Sequence, residues 1–360
     1  MAARSDLGTS GDAIGAPPAA CLEPAKRTLA GASGRRDPIP SDWPVLVTGA
    51  GGFVGGRIAR ALAQAGHAVR AISRRPVPNE PEDSQPQWLI GDLTDAEFRR
   101  QALAGVRGVI HTAGWVSLGP DALGISHASN VDLTRSLLAD AGQAGVERFV
   151  YTSTLYTLAA GTPDRPADES TAWNLECLDS PYTRTKRIAE RLVLDASRAT
   201  FTTIALCPGM VLGPGDLKPT STKVVRAMAQ ARIAFLPHGG IPIIDAAVLA
   251  LAHRRALIAG GESQRYAVVG PYLSYPAMAR VVAQITGRPR RLISIPDRME
   301  RLFAICADCV GFLSMHKLPN VSRQLVAGGF IRLHVSGARA DECFGLVHPP
   351  AIETIAQSLS

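Results

Sequence analysis

No run in this 360-residue chain reaches the about 18 consecutive apolar residues that a membrane-spanning helix needs. The best stretch, Leu302 to Met315, is shorter, contains Asp308, and is flanked by Arg298, Arg301, His316 and Lys317. It is expected to be a core helix of a second lobe, with peripheral contact to a membrane surface as the alternative. The N-terminus has no basic segment leading into an unbroken apolar core, so no secretory signal is expected. Six cysteines in a chain this long make no disulfide framework. Cys306 and Cys309 form a lone CxxC with no second pair and no histidine at finger-like spacing, so they are read as two buried helix cysteines. No metal is expected, and a reducing, cytoplasmic setting follows. There is also no block of one charge. The formal net charge of +7 comes mainly from scattered arginines, with only five lysines, which argues against a nucleic-acid partner. No Ser-His-Asp order exists, and Glu169, Glu190, Asp195 and Asp245 form no evident acid–base pair, so hydrolase chemistry lacks residues. No internal repeat is visible.

What is present is a regular alternation. Hydrophobic residues make up 46% of the chain, enough for one large domain or two intimate lobes. Apolar strands are expected at VLVT (Val45 to Thr48), HAVRAIS (His67 to Ser73), PQWLIGD (Pro86 to Asp92), GVIHTAG (Gly108 to Gly114), RFVYTST (Arg148 to Thr154) and TTIALC (Thr202 to Cys207). Amphipathic helical patterns separate them, which predicts a parallel sheet covered on both faces. The fold class expected is α/β, a Rossmann-type doubly wound parallel sheet with a smaller C-terminal substrate-binding lobe. Residues 1–42, rich in Ala, Gly, Pro and Ser, read as a disordered extension. The nucleotide-binding domain is expected over 43–206. The remaining 207–360 are expected to form mainly the second lobe, with elements at about 241–270 returning to the first.

Tyr182 and Lys186 carry the most chemical information. Four residues apart on a predicted helix, they share a face, and an ammonium beside a phenol favours the phenolate over its usual pKa of about 10. Tyr182 then becomes an acid or base usable near neutral pH. Upstream, TGAGGFVG (Thr48 to Gly55) fits T-G-x-x-G-x-x-G between a strand and a helix. Gly49 and Gly52 give the tight turn and a close approach to a pyrophosphate, and Gly55 lets helix pack on strand. Phe53 and Val54 open that helix. An acidic residue ending the second strand would hold the ribose hydroxyls of NAD, but Ser73, Arg74 and Arg75 stand there, and a guanidinium suits a 2′-phosphate. NADP(H) is therefore preferred over NAD, with Arg74 its contact. Asp92, followed by Leu93, either receives the adenine amine or caps the next helix, a duty Thr94 or Asp95 could share. Ala113 and Gly114 are small enough to let the cofactor pass, and His111 reads as a packed strand histidine. Ser153 and Thr154 reach the carboxyl edge of the sheet, where strand alternation admits only one hydroxyl to the site.

Taken together, TGAGGFVG, GDLTD, HTAG, SNVDLT, YTST, YTRTK and PGMVLGPGD resemble the extended short-chain dehydrogenase/reductase superfamily (the NAD-dependent epimerase/dehydratase family) from about Pro44 to at least Gly287. RPADEST, GPGDLKPTST and YAVVG look like its dihydroflavonol-4-reductase-like branch, within that the hopanoid-associated sugar epimerase group, with 3β-hydroxysteroid dehydrogenases close behind. The resemblance implies that Tyr182 is the acid/base, that Lys186 binds the nicotinamide ribose and lowers the tyrosine pKa, and that Thr154, with Ser153 as fallback, polarises the carbonyl. It implies that Asn130 supports the active-site helices and that Pro208 borders the nicotinamide. The cofactor contacts expected are thus Thr48, Gly49, Gly52, Phe53, Val54, Gly55, Arg74, Asp92, Leu93, Ala113, Tyr182, Lys186 and Pro208. Cys207 stands where many relatives have arginine, and Ala246, Ala247 and Val248 replace polar positions that help nucleotide-sugar enzymes hold a charged substrate. The expected activity is ketone/secondary-alcohol interconversion on a fairly lipophilic small molecule. A sugar epimerase, and a non-catalytic NADP-sensing or scaffold protein, are the rivals, and a homodimer is compatible with all three.

Overall fold

Val45–Thr48 (β1) is buried along its whole length, as a strand covered by helices on both faces must be. In the computed structural model the described residues are 43–77, 85–116, 124–216, 221–288, 291–313 and 323–360, so the expected extension at 1–42 lies outside them. After β1 come α1 (Phe53–Gln64), β2 (Val69–Ser73), β3 (Gln87–Ile90), α2 (Ala96–Leu103) and β4 (Gly108–His111). A short turn, α3 (Ile125–His127), and a π turn at Ala128–Asp132 lead into α4 (Leu133–Gln143), β5 (Arg148–Thr152), α5 (Pro181–Asp195) and β6 (Thr202–Pro208). The second half holds β7 (Met210–Leu212), α6 (Thr222–Gln230), β8 (Ile233–Pro237), β9 (Gly240–Asp245), α7 (Ala246–Ala256), β10 (Gln264–Val268) and β11 (Tyr272–Ser274). It continues with α8 (Tyr275–Thr286), β12 (Arg291–Ile295), α9 (Glu300–Leu313), α10 (Arg323–Phe330), α11 (Ala338–Phe344) and α12 (Ala351–Leu359).

Seven strands form one sheet in the order β10-β6-β5-β4-β1-β2-β3, and every pairing in it is parallel. The order reverses between β1 and β4. This is the point at which doubly wound sheets open a crevice at their carboxyl ends. One face is covered by α1, α7 and α11, where Ile58, Leu62, Leu249, Leu257 and Phe344 pack on β1 and its neighbours. The other face buries Leu103, Leu137, Val193, Phe149 and Phe201 under α2, α4 and α5. Full burial of each large apolar side chain stabilises by about 1.5–3 kcal/mol.

β10 lies beyond β6 in the large sheet, whereas β9 pairs with β7 and β11 in a separate three-stranded sheet. A further core joins Leu212, Val225, Met228, Met278, Val282, Leu333 and Ile355. Helix α8 begins at Ser274, whose hydroxyl accepts from the Ala277 N–H, and stops at Gly287 in the left-handed region (φ 62°).

Helix α9 departs from expectation. Leu302, Phe303 and Ile305 are exposed while Ala304 and Ala307 are buried, so its first two turns point their large apolar side chains outward, not into a core as the composition predicted. Cys306 is exposed as well, which corrects its reading as a buried helix cysteine, while the Cys309 side chain lies outside the described residues. Composition registers how apolar a helix is, not whether a neighbour covers it.

Candidate active site

The glycine turn is built to exclude side chains. Gly49 has φ +69°, and a Cβ there would lie 2.7 Å from the Ala113 nitrogen and from Thr112 Oγ1. A Cβ on Gly55 would come within 2.4 Å of Thr112 Oγ1 and 2.5 Å of the Gly49 carbonyl oxygen. Gly52 precedes α1 with no side-chain cap, and its N–H donates to Gly49 O at 2.9 Å. The first amides of α1, at Phe53, Val54 and Gly55, therefore face the crevice as a helix N-terminus suited to a phosphate. Thr112, which sequence reasoning passed over, donates its hydroxyl to Thr48 O at 2.7 Å and closes the turn against β4.

At the ends of β2 and β3, Ser73 is buried and its hydroxyl donates to Arg75 O at 2.7 Å, leaving Arg74 exposed. Asp92 accepts the Thr94 N–H at 2.9 Å and the Thr94 hydroxyl at 3.0 Å through one oxygen. The Thr94 amide above all, and also Arg74, draw its carboxyl below the usual range. The capping duty left open for Asp92 belongs to Asp95, which accepts from Glu97 N and Phe98 N. Leu93 is buried beside it.

His111 does more than fill space. Thr134 gives its hydroxyl hydrogen to Asn130 O (2.7 Å), so it must accept from His111 Nε2 (3.0 Å). His111 Nδ1 then accepts from the Thr48 hydroxyl at 2.7 Å. Asn130 receives the Trp115 N–H at 2.7 Å and donates to Trp115 O and to Thr185 Oγ1 on α5, each at 3.0 Å. One directed chain thus runs from the glycine turn to the helix that carries Tyr182.

Burial holds His111 neutral, pushing its pKa down to about 3, and does the same to His253, at about 4. Both folded values lie below the ordinary value, so the unfolded chain binds more protons as pH falls from about 6.5. Stability present above that pH is lost towards about 4 and about 3. Each histidine should contribute a slope of about 1.4 kcal/mol per pH unit. Urea unfolding between pH 5 and 6 should show about two protons taken up, and His253→Gln should remove about one. An unchanged slope in that variant would contradict the assignment.

Tyr182, Lys186 and Glu190 lie at four-residue intervals on α5, and all three are buried. Ser180 starts the helix by accepting from the Thr183 N–H. The Thr154 hydroxyl lies close enough to the Tyr182 phenol to draw its pKa down. Ser153 turns the other way and donates its hydroxyl to Glu190. The choice between the two hydroxyls therefore has a structural basis. Lys186 Nζ donates to Thr152 O at 2.6 Å and sits 4.2 Å from the centre of the Tyr151 ring. The expectation that Lys186 lowers the tyrosine pKa is not met. Burial pushes Tyr182 up to about 12, against the downward pull of the nearby Thr154 hydroxyl, and pushes Lys186 down to about 7. Desolvation outweighs the attraction of a cation that is engaged elsewhere.

Pro208 is the last residue of β6 rather than the residue after it, and is buried opposite Val268. Ala113 donates its N–H to Thr48 Oγ1 at 3.4 Å. Cys207, where the resemblance led one to expect arginine, points its thiol at Glu190 (3.4 Å). The guanidinium that reaches Glu190 comes instead from Arg265 on β10, at 3.2 Å. Glu190 and Arg265 are functional candidates that sequence reasoning missed. The spacing of Glu190 from Lys186 was the one available signal.

The model of the NAD dependent epimerase/dehydratase family matches residues 45–238, over half of the chain. A Synechocystis sp. protein named after dihydroflavonol 4-reductase is 28% identical over 320 residues, 87% of this chain and 93% of its own. Sterol demethylase protein B of Methylococcus capsulatus is 31% identical over 269 residues, covering 73% of this chain and 80% of that protein. The crystal structure of gox2253 superposes with a TM-score of 0.73 at 27% identity, covering 88% of this chain and 97% of that one. The chain belongs to the NAD dependent epimerase/dehydratase family and is an NAD(P)-dependent enzyme of the extended short-chain dehydrogenase/reductase type.

Proposed function

We propose that this family member is an NADP(H)-dependent oxidoreductase interconverting a ketone and a secondary alcohol on a lipophilic small molecule. The observation that carries the reading is the meeting of Thr154 with the Tyr182 phenol, one turn from Lys186, at the carboxyl edge next to the glycine turn. The turn fits a dinucleotide because Gly52 puts no side chain over the first amides of α1, while Gly49 and Gly55 have no room for one. Thr48, Gly49, Gly52, Phe53, Val54 and Gly55 would hold the pyrophosphate, Arg74, Asp92 and Leu93 the adenosine end, and Ala113, Lys186 and Pro208 the nicotinamide end. Once bound, the dinucleotide supplies or accepts a hydride at C4 of its nicotinamide ring. In the reducing direction, Tyr182 passes its hydroxyl proton to the substrate oxygen while Thr154 donates a hydrogen bond to that oxygen. Lys186, one turn along α5 from Tyr182, would offer its ammonium to the nicotinamide ribose.

The apolar Ala246, Ala247 and Val248 favour a lipophilic substrate over a charged sugar. Asp245 does not replace the missing polarity, because its carboxylate is spent capping α7 through Ala247 N and Val248 N. The sterol-related name of one relative points the same way. Among the described residues no helix is long and apolar enough to cross a membrane. Cys177, Cys207, Cys306 and Cys343 are free, which suits a reducing cytoplasm.

NADPH should bind at least about tenfold more tightly than NADH, a difference of about 1.4 kcal/mol. Arg74→Ala should narrow that gap by weakening NADPH alone, as calorimetry would show. Equal affinities in the wild type would end the NADP(H) assignment. Incubation with C4-deuterated NADPH and sterol or long-chain ketones should place deuterium on the carbinol carbon. Epimerisation of a nucleotide sugar with no ketone reduced would favour the epimerase instead.

A further inference from the structure

Glu190 has no part in the reaction described above, yet it is the most heavily engaged carboxylate near it. Its Oε2 accepts from Ser153 Oγ, from Thr157 Oγ1 at 2.7 Å and from Cys207 Sγ at 3.4 Å, and Arg265 Nη1 reaches Oε1 at 3.2 Å. One side chain of α5 thereby ties together the end of β5, the turn after it, the end of β6 and β10. An ionised carboxylate accepts at every lone pair, so four donors suit it and no neutral side chain of its size.

We infer that Glu190, held by Arg265, is a positioning residue for the reaction: it keeps Ser153 turned inward so that Thr154 faces Tyr182, and it places a carboxylate one helical turn from Lys186. This rests on the proposed roles of Thr154, Tyr182 and Lys186. The first half follows from backbone geometry. Thr154 is extended (φ −154°, ψ 154°), so neighbouring side chains point to opposite sides and anchoring Ser153 sets the direction of Thr154. The second half follows from what faces Lys186: Tyr182 and Glu190 on α5, His111 on β4, Tyr151 on β5 and Cys207 on β6. Glu190 is the one carboxylate among them, and it draws the lysine up against the downward pull of burial. The side chain of Arg265 is 28% exposed and that of Glu190 only 6%. Both residues line a cavity of about 490 Å³ together with Trp173 and Arg187, the guanidinium being the more exposed of the two.

NADPH fluorescence titrations from pH 5 to 9 test this, with Lys186→Met identifying the part of the pH dependence that belongs to the lysine. In the wild type, affinity should fall as pH rises through about 7. Glu190→Gln should move that midpoint down by about one pH unit, so that binding is about fivefold weaker at pH 7 and unchanged at pH 5. Arg265→Met should move it up, because the carboxylate then acts on Lys186 unopposed. Simple structural damage would weaken binding in both variants and leave the midpoint where it was. An unmoved midpoint in either folded variant overturns the inference, and so does a wild-type pH profile that Lys186→Met does not alter. If Glu190→Gln does not fold, Arg265→Met decides the matter alone. A wild type that binds neither NADPH nor NADH refutes the cofactor reading instead, a result distinct from the others.

Discussion

Tyr182→Phe is expected to lower turnover by about a thousandfold, while folding and NADPH affinity stay close to wild type. The substitution removes one oxygen and keeps the ring that fills the buried site. Thr154→Ala should cost about a hundredfold, the usual loss for one donor to a developing oxyanion. Lys186→Met should weaken cofactor binding as well. Because Tyr182 and Lys186 share one task, the double variant should be scarcely slower than the worse single one, not slower by the product of the two losses. With Tyr182 pushed up to about 12 and Lys186 down to about 7, a change in rate near neutral pH belongs to the lysine. Near-normal turnover of Tyr182→Phe on a verified substrate would refute the mechanism and leave the NADP-sensing protein as the better account.

Gly49→Ala should abolish measurable NADPH binding and cost several kcal/mol of stability. Two penalties add at this position. The left-handed backbone (φ +69°) costs a non-glycine residue about 1–2 kcal/mol. The new Cβ would also lie 2.7 Å from the Ala113 backbone nitrogen, a main-chain atom unable to swing aside as a side-chain tip could. Gly55→Ala meets the Gly49 carbonyl oxygen at 2.5 Å and should be comparably damaging. Gly52→Ala has an ordinary φ of −98° and only one close neighbour, Gly49 O at 3.2 Å. Its stability should change far less, although a Cβ there still crowds the phosphate site. Denaturant unfolding of the three variants gives the ranking, and a Gly49→Ala protein as stable as wild type would mean that the turn does not hold this conformation.

The sequence by itself determined whatever depends on neighbours a few residues away. The alternation of apolar strands and amphipathic helices specified the doubly wound sheet, and the glycines announced a turn that side chains cannot enter. The four-residue spacing of Tyr182 and Lys186 placed both on one face of a helix. These are local consequences of strand and helix periods and of backbone sterics. The tertiary structure decided the rest. Ser153 and Thr154 are equivalent hydroxyls on paper until Glu190, on another element, takes one of them. Glu190 itself looked like an unpaired acid until Arg265 came alongside from β10. His111 became a directed link only when Thr48 and Thr134 arrived on its two nitrogens. The pKa of Tyr182 moved opposite to the sequence expectation, and Leu302, Phe303 and Ile305 of α9 lie exposed despite their apolar character. Burial and charge pairing are set by residues far apart in the chain that meet only on folding, so no local spacing encodes them.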